Sequence, residues 1–329
     1  MTRTGRCVFG ALLIGVAAAA LTAPASAQEK VWKHGIINPK SDAGIFTMVS
    51  TRDFAKQQGL KIELVHFKDD QLGLKALIAG EVDSFEGGPQ GVFSADSKGA
   101  DARILGCHWV VVPHGIYAKT SIKSVKDLKG KQIAVSAPNS MPDLLARSAL
   151  EKFGVDPSTV KLAAVGGDRD RYQALVGGVV DAAVVSNEYQ PIAPKDVHLL
   201  VAGRDAVPNF LRVCIISSAA KLKARGGDAV KFLAAEMNAL RYALSHKAET
   251  VALTKEVTHA KPDDPRAAFV YDDAVEHHAV DPTLPLPKQK FEWIEDQLVK
   301  AHKLSKPIPV EQVTAPEYRE KALKLVGHS

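Results

Sequence analysis

The sequence predicts an α/β protein of two lobes, each a mixed, mostly parallel sheet flanked by helices, with a cleft between them. Three observations lead there: a length suited to two cores, an internal repeat at a constant offset of 98 residues, and strands that alternate with helices inside each repeat.

The start of the chain reads as an export segment rather than as part of the fold. Arg3 and Arg6 precede an apolar run at residues 8–21, and Ala25-Ser26-Ala27 supplies a small-x-small pattern, so cleavage is expected after Ala27. The run falls short of the roughly 20 residues that span a bilayer, and Cys7 lies ahead of it, away from a lipid-attachment position. Removing 27 of 329 residues leaves 302 and takes the formal charge from +5 to +3, because Arg3 and Arg6 leave without an acid. So small an excess, interspersed with acids, argues against nucleic acid as a partner.

The repeat carries most of the information. ALIAGEVDSF at 76–85 matches ALVGGVVDAA at 174–183, with Ala, Leu, Gly, Val and Asp recurring in identical places. The same offset lays the apolar-rich 62–67 on 160–165 and residues 33–38 on 131–136. In the second half, residues 133–135 are β-rich. Ser140 with Asp143 three residues on marks a helix start, Pro142 fits its first turn and Gly154 stops it. Asp168 is expected to cap a second, shorter helix ended by Gly177-Gly178, and residues 181–185 return to strand.

In open parallel sheets ligands lie beyond the carboxyl ends of the strands. Those loops are 38–44, 68–71 and 86–91 in the first half and 136–140, 166–169 and 186–190 in the second. The later chain changes character, with helical patterns at 229–246 and 288–304 between proline-rich turns, and needs a lobe to pack against. The expected organisation is therefore lobe one from residues 28–116 and 216–329 and lobe two from 117–215, with hinge crossings around 114–118 and 213–217. Cys107 and Cys214 each sit in an apolar strand-like run, and a bridge and a pair of buried thiols are both open readings.

With the repeat in view, SVKDLKGKQIAVSAPNS at 124–140, LLARSALEKFGVDPSTVKL at 144–162 and the paired AL-x-x-G-x-VD motifs resemble the type II periplasmic solute-binding proteins of the nitrate, sulfonate, taurine and thiamine-precursor group. The resemblance covers most of residues 31–195. It implies a monomeric periplasmic clamshell that closes over a small molecule and docks on the permease of an ABC importer. Many relatives carry Val-Trp-Glu-Pro-Tyr after the last strand of lobe two; this chain has Val185-Ser186-Asn187-Glu188-Tyr189 and keeps the tyrosine.

Candidate ligand residues follow from the six loops: Asn38, Asp42, Glu86 and Gln90 in lobe one, and Ser136, Asn139, Ser140, Asp168, Asn187 and Tyr189 in lobe two. Polar loop residues ordinarily serve turns and solvent; the repeat is what moves these toward a cleft. The start of the helix after Ser140 offers free N–H groups to an anion, although Ser140 can equally cap its own helix. Arg169 is a candidate for bidentate anion binding, with Arg171 turned to solvent or an acid. Trp109 and His114 approach the hinge, where the tryptophan can stack on a planar ligand or serve the core. His277-His278 lack a spaced third ligand for a metal.

An enzyme would need a nucleophile motif or a cofactor loop. No GxSxG, HExxH, P-loop or strand-following GxGxxG is present, and residues 87–91 read as a glycine-rich cleft turn. Thiamine-precursor synthases share the fold class, but their cysteine-rich motif is missing. No catalytic residue, cofactor or metal is expected. The ligand expected first is a small organic anion, a sulfonate or aromatic carboxylate; the alternatives are a neutral thiamine-precursor-like heteroaromatic and a sensor role at a membrane receptor.

Overall fold

The computed structural model describes residues 1–2, 30–138 and 140–327. The expected cleavage point after Ala27, and Asn139, lie outside the described residues.

The chain first lays down β1 (Lys30–Ile37), α1 (Ala43–Thr51), β2 (Leu60–Phe67), α2 (Asp70–Ile78), β3 (Ser84–Gly87), α3 (Pro89–Asp96) and β4 (Ala102–Trp109). It then crosses into a second unit of β5 (His114–Lys119), β6 (Gln132–Val135), α4 (Met141–Lys152), β7 (Lys161–Ala164), α5 (Asp168–Val176), β8 (Ala182–Ser186), β9 (Val197–Ala202) and α6 (Gly203–Ala206). It returns through β10 (Val213–Ser218) into α7 (Ala219–Ser245), α8 (Lys247–Thr258), α9 (Arg266–Glu276), α10 (Lys288–Lys300), α11 (Val310–Val313) and α12 (Pro316–Val326). Two five-stranded sheets result, ordered β2-β1-β3-β10-β4 and β7-β6-β8-β5-β9. In each, four strands run in one direction and a single strand, β10 or β5, runs antiparallel between two of them.

Parallel strands covered on both faces read as continuous apolar runs, and β8 shows why. Ala182 and Val184 face one core with Ile116, Ile133 and Leu145, while Ala183 and Val185 face another with Tyr117 and Leu175. The long helix α7 lays Phe232, Leu233 and Leu240 on the first sheet beside Trp32 and Trp109.

The repeat holds in space with one adjustment. Helices α2 and α5, and strands β3 and β8, start 98 residues apart. However, His34 pairs with Ser84 whereas Ile133 pairs with Ala182, so the first strand of each unit corresponds at 99. Beyond Lys33 and Lys131 only apolar character matched there in sequence, and register is set by which residues must face the core.

Three local expectations change. The strand-like runs expected as hinges are full sheet members: β5 lies between β8 and β9, and β10 between β3 and β4. The crossings are the short segments before them, residues 110–113 and 207–212. Asp168 is the first residue of α5, not its cap; Gly167 holds the cap position and the Asp168 side chain is used elsewhere. Residues 86–91 are not one loop, since Glu86 and Gly87 complete β3 and Pro89 and Gln90 open α3. Ser140 does cap α4, accepting the Asp143 N–H at 3.4 Å. Cys107 and Cys214, opposite one another on β4 and β10, form a disulfide.

Candidate functional site

The carboxyl ends of β1 and β3 and the start of α1 meet the return crossing at Arg212. Together they enclose a cavity lined by Asn38, Asp42, Phe46, Asp70, Glu86 and Arg212. Arg212 Nη2 bonds Asp42, and the guanidinium lies 4.3 Å from the Trp109 ring centre and 5.4 Å from that of Phe46. Phe46 and Trp109 stack at 5.5 Å with their planes 5° apart, making an aromatic wall. Arg212 Nη1 is buried and has no hydrogen-bond partner.

Glu86 supplies the opposite polarity. Its side chain is 2% exposed, and Oε1 lies 3.0 Å from His108 Nε2 and 3.5 Å from His34 Nε2. Burial opposes its ionisation, but the two imidazoles outweigh burial and hold the carboxyl at about 2. Oε2 has no partner in the protein. A β-bulge explains how His108 gets there. Val213 faces Trp109 and Cys214 faces Cys107, so His108 is the extra residue of β4, and bulges re-aim side chains beside binding sites.

The cavity encloses about 30 Å³, room for a water and far below the roughly 300 Å³ of a small-molecule site. Polar contacts hold the lobes over it. Ser41 donates to Glu188 at 2.5 Å, Asn187 Nδ2 donates to Asp273 at 2.7 Å, and Lys40 lies 3.6 Å from Asp168. Asp168 also takes Arg171 at 2.5 Å and His114 at 3.4 Å. Burial opposes its charge, yet His114, Arg171 and Lys40 hold its carboxyl far below the ordinary carboxylate range.

The structure thus brings Asn38, Asp42 and Glu86 to one cavity, with Trp109 stacked behind Arg212. The remaining expected residues lie elsewhere. Gln90 and Ser140 line a separate groove between α4 and α10, where Ser140 is occupied with its own turn, donating to Ala137 O at 2.6 Å. Ser136 contributes its carbonyl to Gly166 N–H. Asn187 and Asp168 serve the interlobe contacts, and His114 contacts Asp168 from within the second lobe. Asp168, Arg169 and Tyr189 line a groove between the lobes, opposite Lys40 and Ser41, and Tyr189 stacks on Tyr172 at 4.5 Å. Arg171 is buried, bonded to Asp168 and to the Val184 carbonyl.

Sequence reading passed over Arg212, Phe46, His34 and His108. Arg212 had a signal, being a lone arginine inside the apolar run 211–217, as was His108 between Cys107 and Trp109. Among the described residues no cluster of three or more metal-type ligands occurs, and no helix is long and apolar enough to cross a membrane.

Comparison with known proteins places this geometry in context. A family model described as NMT1/THI5 like matches residues 42–250. The periplasmic sulfonate-binding protein SsuA of a putative sulfonate ABC transporter from Methylobacillus flagellatus KT superposes with a TM-score of 0.73 at 15% identity, covering 91% of this chain and 95% of that one. The periplasmic aliphatic sulphonate-binding protein SsuA from Escherichia coli gives 0.71 at 19%, covering 86% and 91%. A Candida albicans gene product described as having the generic periplasmic binding protein fold gives 0.60 at 16%, covering 89% and 94%. No curated protein matches the sequence. At these identities the structural likenesses establish the fold, a periplasmic-binding-protein clamshell.

Proposed function

We propose, from the premise that this chain belongs to the NMT1/THI5-like family, that it is the extracytoplasmic solute receptor of an ABC importer and not a catalyst. It would act as a periplasmic monomer that delivers its solute to the permease. The solute binds where β1, β3 and the Arg212 crossing meet, and the lobes close over it. Contacts to both lobes are available only when closed, so binding shifts the open-closed equilibrium. The cavity as described has no room for a solute, so the solute-bound form is a less tightly closed arrangement of the lobes than this one.

The ligand class rests on one observation: Glu86 and Arg212 line the same cavity beside the Phe46–Trp109 wall, and each keeps one polar atom, the acceptor Oε2 and the donor Nη1, buried without a protein partner. Leaving such groups unpaired is costly, and a planar heteroaromatic with an N–H donor and a ring acceptor, such as an aminopyrimidine, answers both. A small aromatic carboxylate or sulfonate is the second reading, favoured by Arg212 alone. The ionised Glu86 opposes it.

A thermal-shift panel on residues 28–329 tests the proposal, using aminopyrimidines, aromatic carboxylates and alkyl and aryl sulfonates after refolding to remove trapped solute. Saturation at about 100 times the dissociation constant stabilises a native site by roughly 2.7 kcal/mol. A shift with aminopyrimidines that Glu86→Gln abolishes is the expected result. A shift confined to the anions and kept by Glu86→Gln selects the second reading, and no shift with any class removes both.

A further inference from the structure

Behind the cavity lies a set of buried polar groups that solute contact alone does not explain. His34, Ser84 and His108 are fully buried, as is the carboxyl of Glu236 on α7. A hydrogen-bond chain orders them. Trp32 Nε1 donates to Ser84 Oγ at 2.8 Å, and Ser84 Oγ lies 2.7 Å from His34 Nδ1. A serine oxygen can accept twice, so it is the carboxylate side that orders the ring: with Nδ1 accepting the serine proton, the His34 proton sits on Nε2, which lies 3.5 Å from Glu86 Oε1, beyond a formed hydrogen bond. His108 reaches the same oxygen with its own Nε2, while its Nδ1 has no partner.

We propose that His108 and His34 are positioning residues for solute recognition: His108 hydrogen-bonds one oxygen of Glu86 at 3.0 Å and His34 presents its Nε2 edge to the same oxygen at 3.5 Å, fixing the carboxylate and reserving Oε2 as the solute's acceptor. The proposal rests on reading the Glu86 cavity as the solute site. Glu236 completes the arrangement. Neither of its oxygens has a partner, and burial together with the charge of Glu86 raises its carboxyl well above the ordinary range. The two neighbouring carboxyls therefore share a single negative charge, carried by Glu86 where the imidazoles stand. The bulge that turns His108 inward borders the Cys107–Cys214 disulfide, which ties β4 to β10 at that point.

Two measurements on the whole chain test this. In a long-range ¹⁵N–¹H spectrum of the imidazoles, His34 and His108 should both be Nε2–H tautomers, and Ser84→Ala should disturb His34 and leave His108 in place. An Nδ1–H tautomer at His108, or a His34 signal indifferent to Ser84→Ala, overturns the proposal. Calorimetry with 4-aminopyrimidine then compares His108→Gln, whose amide nitrogen replaces Nε2, with His108→Met, which donates nothing. Loss of a hydrogen bond to a charged group predicts that Met weakens binding tenfold or more and that Gln restores most of it. Equal binding by both variants and wild type overturns the positioning role while leaving the cavity as the site. Failure of wild type to bind any solute in the panel removes the cavity reading, and the spectrum still decides the imidazole geometry.

Discussion

Asp70 and Asp168 occupy the same place in the repeat, 98 residues apart, each opening a short helix at the mouth of the cleft. Their surroundings set them apart. Asp168 is enclosed by Arg171, His114 and Lys40, which keep it charged. Asp70, at the rim of the cavity and partly open to solvent, forms no ion pair among the described residues, and dehydration by neighbouring protein raises its carboxyl more than Arg212 and Lys40 lower it. The position of Glu86 repeats the contrast, since its counterpart 98 residues on is Val184, a buried core residue whose carbonyl accepts from Arg171 Nε at 2.6 Å. One supersecondary plan thus yields a first lobe whose cavity residues Glu86 and Arg212 each keep an unpaired buried atom and a second whose cleft carboxylate Asp168 is paired, although His114 Nδ1 and His198 Nδ1 are buried there without a partner. Unpaired groups are suited to a solute, satisfied ones to a rigid jaw.

The sharpest way to break this comparison is the disulfide, which only the first sheet carries. Replacing both Cys107 and Cys214 with serine should cost about 2–4 kcal/mol, given the 107-residue separation it closes. Urea unfolding followed by a probe in each lobe should show the first lobe's midpoint falling further. Equal falls would mean that the lobes unfold as one unit.

Next in size is the aspartate pair itself. Asp168→Asn should destabilise by about 3 kcal/mol, because it leaves the buried Arg171 without its counter-charge; Asp70→Asn should stay within about 0.5 kcal/mol, as surface changes do. The sign with pH follows from the depressed carboxyl of Asp168. Its stabilisation is complete above the ordinary aspartate value near 3.9 and is lost as pH falls below it. The gap between wild type and Asp168→Asn, measured by denaturant melts, should therefore be full at pH 7 and shrink below about pH 4.

Glu236 gives a smaller effect of opposite sign. Its carboxyl is raised, so the folded state binds a proton that the unfolded chain releases, and stability is lost as pH rises above the ordinary glutamate value near 4.3. Glu236→Gln keeps the shape without that cost. It should raise stability by about 1–3 kcal/mol at pH 7, with the gain fading as pH falls toward 4.5 in thermal melts. A loss of stability at pH 7 would mean that Glu236 is ionised and compensated in the core.

Much of the frame was legible from residues alone. The offset of 98, the helix start at Ser140-Met141-Pro142-Asp143 and the stop at Gly154 depend on periodicity and capping, which act over a few residues and leave a pattern in sequence. The cleft loops at Asn38, Asp42 and Glu86 followed from topology, because strand ends in such sheets point to one side. Other features had no local signature. Asn187 and Asp168 lie at the expected strand ends, but whether a polar group meets a solute or the opposite lobe depends on a partner such as Asp273, 86 residues from Asn187.

The sequence by itself determined two repeated α/β units, a helical tail and the strand ends that gather at one edge, because burial and hydrogen bonding impose short-range periods that amino-acid order must obey. Only the tertiary structure decided the Cys107–Cys214 bridge, the bulge that turns His108 toward Glu86, and Arg212 against the Phe46–Trp109 wall. Each of these joins segments far apart in the chain, where register and packing, not neighbouring residues, choose which groups meet and which stay unpaired.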